Sequence, residues 1–273
     1  MTPISPAERS LAPVDVAQGD WVLRIRVGTA GWAIPSGASS AFRSEGANLS
    51  RYASVFDGVE INSTFKKVHR PGTFGRWANC VGPGFQFSVK APKSVTHDAG
   101  GLGRQDCLEA FLDRVAHLGR SLGPLLIQFP PKLAFDAERF DALWRPIRER
   151  GAWLVACEPR HQSWFEPEVD GWLAERRIAR VGADPALHPG SGDPGGWRGL
   201  SYYRLHGSPR VYYSAYGARY LRSLAARLKA DEAETIWCIF DNTASGAATT
   251  DALTLLALLA PPGPAEQTTG VSN

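Results

Sequence analysis

Short apolar runs with a period of two alternate along this chain with stretches whose apolar positions recur every three to four residues. The first pattern predicts strands and the second predicts helices with one buried face. Eight strand segments are read this way, at 24–28, 58–62, 85–90, 125–129, 153–158, 178–183, 202–206 and 236–241. Over 106–122, Leu108, Phe111, Leu112, Val115 and Leu118 share one helical face. Over 136–150, Phe140, Leu143, Trp144 and Ile147 do the same, and Asp136 is placed to cap that helix. Further helices are expected at 49–56, 71–80, 167–177, 218–229 and 250–259.

Strand and helix in alternation predict an α/β fold built on parallel strands. The expected architecture is a (β/α)8 TIM-type barrel, with an open doubly wound sheet as the alternative. The barrel is favoured because polar residues recur at the C-terminal ends of nearly all the strands, whereas an open sheet concentrates them at its switch point. One unit is irregular. Residues 185–199, between strands six and seven, are rich in Pro and Gly and have no helical period, so a helix there is expected to be missing or replaced by a loop. The expected layout is a single barrel domain over 21–260 between flexible tails at 1–20 and 261–273.

Composition fits this picture. At 44% hydrophobic and 21% charged, the 273 residues can bury a large core. The net charge of +3 gives no general argument for nucleic-acid binding. The four cysteines form no C-x-x-C pair, and two of them lie in strand-like runs, so they are expected to be buried, reduced thiols. The first residues lack the charged and apolar regions of a signal peptide, and no apolar run is long enough to span a bilayer. A cytoplasmic protein without membrane contact is therefore expected.

The strand ends carry the candidate chemistry. Glu60 and Asn62 share a face at the second strand, and Lys90 ends the third, with His97 soon after. Gln128 closes the fourth strand, Glu158 and Arg160 the fifth, and Asp184 the sixth. Arg204 and His206 share a face on the seventh, and Asp241, Asn242 and Thr243 end the eighth. Charges inside apolar strands are costly unless paired. A ring of them at one end of the strands is read as a functional pocket in preference to a purely structural ion-pair network.

Several linked motifs run through these positions: Gly28-Thr29-Ala30-Gly31-Trp32, Val59-Glu60-Ile61-Asn62-Ser63-Thr64-Phe65 and Phe87-Ser88-Val89-Lys90-Ala91-Pro92. They continue with Leu126-Ile127-Gln128-Phe129-Pro130-Pro131, Glu158-Pro159-Arg160-His161-Gln162-Ser163-Trp164-Phe165, Arg204-Leu205-His206-Gly207 and Asp241-Asn242-Thr243. In these motifs, over about residues 26 to 259, the chain resembles the YecE-like family, also called domain of unknown function 72. The resemblance implies a (β/α) barrel and leaves the reaction unnamed. Pro159 and Gln162 stand where the family more often has Phe and Pro, and Asp241 where it often has Asn.

Three chemistries fit the ring. Lys90, Arg160 and Arg204 could bind a phosphate or carboxylate, with Glu60 and Glu158 either neutralising them or orienting them. Glu60, Glu158 and His206 are the candidate acid–base groups, His206 being equally readable as a hydrogen-bonded core residue. Metal ligation by Glu158, Asp184, His206 and Asp241, with His188 nearby, is the less favoured alternative, because neighbouring cations oppose a divalent ion. Asn62, Gln128 and Asn242 are expected to contact a ligand, and Trp32 and Trp164 to stack on it. No P-loop, G-x-G-x-x-G or G-x-S-x-G stands at a strand-to-helix junction, so no nucleotide cofactor is expected. The expected function is a hydrolase, lyase or isomerase acting on an anionic phosphorylated, sugar or nucleic-acid-type substrate. The alternative is a non-catalytic binding module for an anionic metabolite or a nucleic-acid fragment.

Overall fold

The computed structural model describes residues 25–98 and 104–261. The expected tails lie outside the described residues, apart from Pro261, and so does Arg24. Ten strands run in chain order: β1 (Ile25–Thr29), β2 (Gly58–Ile61), β3 (Gln86–Lys90), β4 (Leu122–Gln128), β5 (Val155–Glu158), β6 (Ile178–Arg180), β7 (Gly182–Asp184), β8 (Gly195–Gly196), β9 (Leu200–Leu205) and β10 (Thr235–Phe240). The helices are α1 (Asn48–Tyr52), α2 (Pro71–Asn79), α3 (Lys93–Thr96), α4 (Gln105–Val115), α5 (Ala137–Glu149), α6 (Pro167–Glu175), α7 (Ala218–Ala230) and α8 (Ala247–Leu259).

The strands form two mainly parallel sheets, a mixed α/β architecture. One has the order β1-β10-β9-β7 and the other β2-β3-β4-β5-β6-β8. Only an isolated bridge between Ala30 and Glu60 pairs the β1 side with the β2 side. At the other junction the expected sixth strand is two strands. It pairs with β5 over Ile178–Arg180, then leaves that sheet and pairs with β9 over Gly182–Asp184. The ladders do not close into one continuous ring among the described residues.

The helices follow the sequence pattern apart from the short α3, which has no counterpart among the expected helices, and three departures at helix ends. The expected 106–122 helix is regular only to Val115, where α4 stops; a 3-10 segment follows to Ser121 and is kinked at Gly119, whose φ is 54°. The segment expected at 49–56 is helical only to Tyr52. The third is an early start, α8 beginning at Ala247. Asp136 caps α5 as expected, its side chain accepting from the Arg139 N–H at 3.1 Å.

The irregular unit has a physical explanation. Among the described residues no helix occupies 185–199, and the only regular element there is β8, antiparallel to β6. Arg180 takes the pinning role a helix would have. It holds Asp170 of α6 through two bonds of 2.7 and 2.9 Å and donates to the Gly190 and Asp193 carbonyls at 3.1 Å each.

Side-chain alternation sorts the strand residues into two cores. The larger lies between sheets and helices and takes Ile127, Cys157, Tyr203, Cys238 and Phe240. The smaller joins both sheets on their inner faces through Leu126, Ala156, Ala179, Tyr202, Trp237 and Ile239. By the period of two, the next inward residue beyond Leu126 is Gln128, beyond Ala156 Glu158, beyond Tyr202 Arg204 and beyond Ile239 Asp241. An apolar layer is thus followed by a polar one, and that step positions the site.

Candidate functional site

Arg204 is the centre of the polar layer and has no exposed surface. Its Nη2 and Nε donate to the two Glu60 oxygens at 2.7 and 2.9 Å, a two-point contact between β9 and β2. Nη1 donates to Glu158 Oε2 at 3.1 Å, and Nη2 lies 3.0 Å from Asp241 Oδ2. Tyr202 Oη donates to Glu60 Oε2 at 3.1 Å and shares a 2.9 Å bond with Ser88 Oγ. Burial works against the charge on Arg204, but Asp241, Glu60 and Glu158 around it hold its pKa well above the ordinary value.

His206 sits one inward position further on. Its Nε2 is 3.0 Å from Glu158 Oε1 and its Nδ1 3.0 Å from Asp241 Oδ2. Burial opposes protonation of the ring, yet the Glu158 charge and the two carboxylate hydrogen bonds raise its pKa. The carboxylates move the opposite way. Burial would raise them, but Arg204 and His206 hold Glu158 well below the usual carboxylate range and lower Asp241. Gln128 Nε2 and Arg160 Nη2 also reach Glu158 Oε1, at 3.0 and 3.3 Å, so both oxygens of Glu158 are occupied. Asn62 Nδ2 donates to Asp241 Oδ1 at 3.3 Å.

Two cations stand at the edge of this cluster. Arg160 is a quarter exposed, and Glu158 and Tyr212 beside it outweigh burial and raise its pKa. Lys90 is buried with its Nζ 4.3 Å from the centre of the Phe65 ring. Burial and then Arg204 lower its pKa, against the pull of Glu60, Glu158 and Asp241. With His206 protonated, the cluster holds four cations (Lys90, Arg160, Arg204, His206) against three carboxylates (Glu60, Glu158, Asp241), a net +1.

The cluster meets solvent at a small pocket of about 90 Å³. Glu158, Arg160 and His206 form its polar end, and Pro185, Leu187, Val211 and Tyr212 its apolar walls. Tyr212 takes a backbone φ of 70°, uncommon for a residue with a side chain, and its ring meets the His206 ring edge-on at 5.9 Å.

Three expected ligand contacts lie elsewhere. Trp164 has no exposed surface. It packs in the core against Phe129, Phe135 and Phe140, and its indole N–H donates to the Leu133 carbonyl at 2.9 Å. Asn242 alternates away from Asp241 and donates to Ser214 O and Asp251 Oδ2, holding the loop after β9. Trp32 rests half-buried on Trp77, with the ring centres 4.9 Å apart, and is not among the residues lining the pocket.

Of the four residues of the metal alternative, Glu158, His206 and Asp241 meet but bond one another and the cations around them, and Asp184 does not join them. Asp184 accepts from Tyr216 Oη at 2.8 Å, while both His206 nitrogens are taken by Glu158 and Asp241. His188 faces the Arg160 carbonyl at 3.1 Å. Cys157 and Cys238 are buried, as expected, but Cys80 is exposed and Cys107 is partly so. Their places on helix surfaces and turns put them outside the strand runs that bury the other two.

Sequence reasoning did not point to Tyr202 or Ser88 as members of this network. Both stand two positions before a site residue, Arg204 and Lys90, and so share its face. The pocket walls from Leu187 to Tyr212 come from loops and have no periodic signal.

The chain belongs to the family described as Protein of unknown function DUF72, whose model matches residues 26–270. Over 140 residues it is 28% identical to the UPF0759 protein YecE of Escherichia coli K12, a match covering 49% of this chain and 51% of that one. The YecE protein of Escherichia coli O157:H7 matches similarly, at 28% over 141 residues and 51% of each chain. The chain thus spans about half the length of the curated relatives it matches. A crystal structure of a DUF72 family protein from Enterococcus faecalis V583 superposes with a TM-score of 0.73 at 19% identity, covering 88% of this chain and 97% of that one. One from Thermotoga maritima MSB8 gives 0.67 at 25% identity, covering 86% and 99%. Among the described residues no helix is long and apolar enough to cross a membrane.

Proposed function

We propose that this DUF72 chain is an enzyme that binds a small anionic, phosphate- or sugar-acid-type molecule at the strand-end pocket and moves a proton there. The observation that carries the reading is His206, held between Glu158 and Asp241 at 3.0 Å on each side at the base of an opening that also exposes Arg160. An imidazolium fixed by two carboxylates is a proton donor with a set orientation. Arg160 at the opening and Lys90 elsewhere at the edge of the cluster supply the surplus positive charge for the anion. Glu60 and Arg204 are fully buried and bonded to each other, so their part is to hold Glu158 and Asp241 in place. Asn62 and Gln128 buttress the same carboxylates. The apolar wall of Val211, Leu187 and Tyr212 suits the carbon face of a sugar or a short chain, and about 90 Å³ suits a small group better than a nucleic-acid strand.

The reading includes the barrel. Taking β6 and β7 as one interrupted strand gives eight parallel positions, and the Ala30–Glu60 bridge joins the first to the second. On that view the pocket lies at the C-terminal strand ends, where barrel enzymes carry their sites.

One observation favours a binding module instead. Every oxygen of Glu158 is already bonded and its carboxyl is held strongly ionised, which makes it a poor proton acceptor. The two readings separate by experiment. A panel of phosphorylated and carboxylated sugars is screened by thermal shift, and each hit is followed for turnover by mass spectrometry. Arg160→Ala should weaken binding of a hit, whereas His206→Asn should keep most of the affinity and lose turnover. Unchanged hits without turnover in the wild type would establish the binding module. A panel with no hit would remove the anion reading.

A further inference from the structure

At the opposite end of the strands, the last turns of α5 and α6 border a groove of about 430 Å³. Its volume lies in the ordinary range for small-ligand sites, roughly 300–1,000 Å³. Arg145, Arg148, Arg176 and Arg177 line it against two acids, Asp141 and Glu175, a net +2. Arg176 satisfies the acids. It meets Asp141 through two bonds of 2.7 and 3.2 Å and Glu175 at 3.4 Å, with its guanidinium 4.0 Å from the Trp172 ring centre. The other three arginines enter no ion pair among the described residues. Arg148 gives its two terminal nitrogens to the Trp153 and Arg177 carbonyls, at 2.8 and 2.9 Å, which binds the loops before β5 and β6 but neutralises nothing. Arg145 and Arg177 are exposed.

Four buried side-chain polar atoms lack a partner among the described residues, and two of them, Trp144 Nε1 and Arg148 Nε, belong to residues in this wall. Both N–H groups are closed off from solvent, so they lie behind the groove's surface and are not presented to a ligand in it. A structural role in tying helix ends accounts for the bonds of Arg148 and Arg176. It does not account for Arg145 and Arg177, which line the groove exposed and enter no ion pair among the described residues.

We propose that this groove is a second binding site, for the phosphate group of a phosphorylated small molecule, separate from the strand-end pocket. Guanidinium forks match phosphate oxygens in pairs. A phosphate carries about −1.5 to −2 at neutral pH and so matches the groove's surplus, whereas a single carboxylate would leave positive charge uncompensated. The proposal does not depend on the chemistry assigned to the other site.

The test titrates inorganic phosphate, and separately acetate, into the full chain by calorimetry at fixed ionic strength. It is repeated with the doubly reversed variant Arg145→Glu/Arg177→Glu and with Arg160→Ala. Both altered groove positions are exposed, and unchanged thermal unfolding confirms that the variant folds. Saturable phosphate binding should weaken more than about tenfold in the groove variant and stay within about twofold in Arg160→Ala, with acetate binding more weakly. Three outcomes would overturn it: no saturable binding to the wild type, loss in Arg160→Ala with retention in the groove variant, or acetate binding as tightly as phosphate.

Discussion

Arg204 and Glu60 stand 144 positions apart in the chain and meet through two bonds of 2.7 and 2.9 Å with neither side chain exposed. The contact joins the inner faces of the two sheets. Arg204 also touches Glu158 and Asp241, so removing its charge leaves three buried carboxylates short of their main counter-ion. Arg204→Met should therefore cost about 3–5 kcal/mol in urea unfolding, the usual loss when one member of a buried pair is removed. Tyr202→Phe, which removes only a hydroxyl between Glu60 and Ser88, should cost about 1–2 kcal/mol. A near-neutral Arg204→Met would mean that the network contributes nothing to the fold.

Stability should peak between two opposed titrations. Glu158 and Asp241 have lowered folded pKa values, so their contribution is present above their unfolded values, about pH 4, and is lost as pH falls through the folded ones. His206 has a raised folded pKa, so its contribution is complete below about pH 6.5 and is lost as pH rises through the folded value. Urea midpoints measured across pH should fall on both sides. His206→Gln should flatten the alkaline fall and leave an acid fall in place.

Trp164 serves the core and not the ligand. Trp164→Ala should destabilise by about 3–5 kcal/mol, the range for a buried aromatic, in the same unfolding assay. Trp164→Phe should recover most of that loss. Ligand affinity in the folded Phe variant should be unchanged, and a selective loss of affinity there would return the ring to the binding site.

Gly28 marks a close approach of β1 to β2. A Cβ at that position would collide with the Gly58 carbonyl oxygen and press on the Tyr52 hydroxyl. Tyr52 Oη accepts the Thr29 N–H at 2.9 Å, so the strain falls on the one junction where the sheets are joined by an isolated bridge. Gly28→Ala should lower the unfolding midpoint by about 1–3 kcal/mol equivalent, as overpacking does. An unchanged midpoint would show that the junction can open at little cost.

The thiols should separate by burial. Cys80 should react with a disulfide reagent within the mixing period and Cys107 more slowly, while Cys157 and Cys238 react only in denaturant. Burial pushes both of the latter thiols far above the usual range. Four fast thiols in native buffer would contradict the placement of β5 and β10.

The alternating pattern placed every main strand within a few residues and put Glu60, Glu158, Arg204 and His206 on inward faces, while Pro and Gly content predicted the helix-free stretch at 185–199. Those are consequences of local geometry, since a period of two assigns a residue to a face wherever its strand lies. The same rule could have separated Asp241 from Asn242, which sit on opposite faces, had the strand's register been fixed. Only the tertiary structure fixed which strands lie opposite one another. It decided that Arg204 spends its donors on three internal carboxylates, that Trp164 faces a cluster of phenylalanines and that β6 changes partner at Val181. Pairing between distant segments depends on how the sheets close on each other, and that is settled by packing across both layers at once. It leaves no mark in the spacing of any single strand.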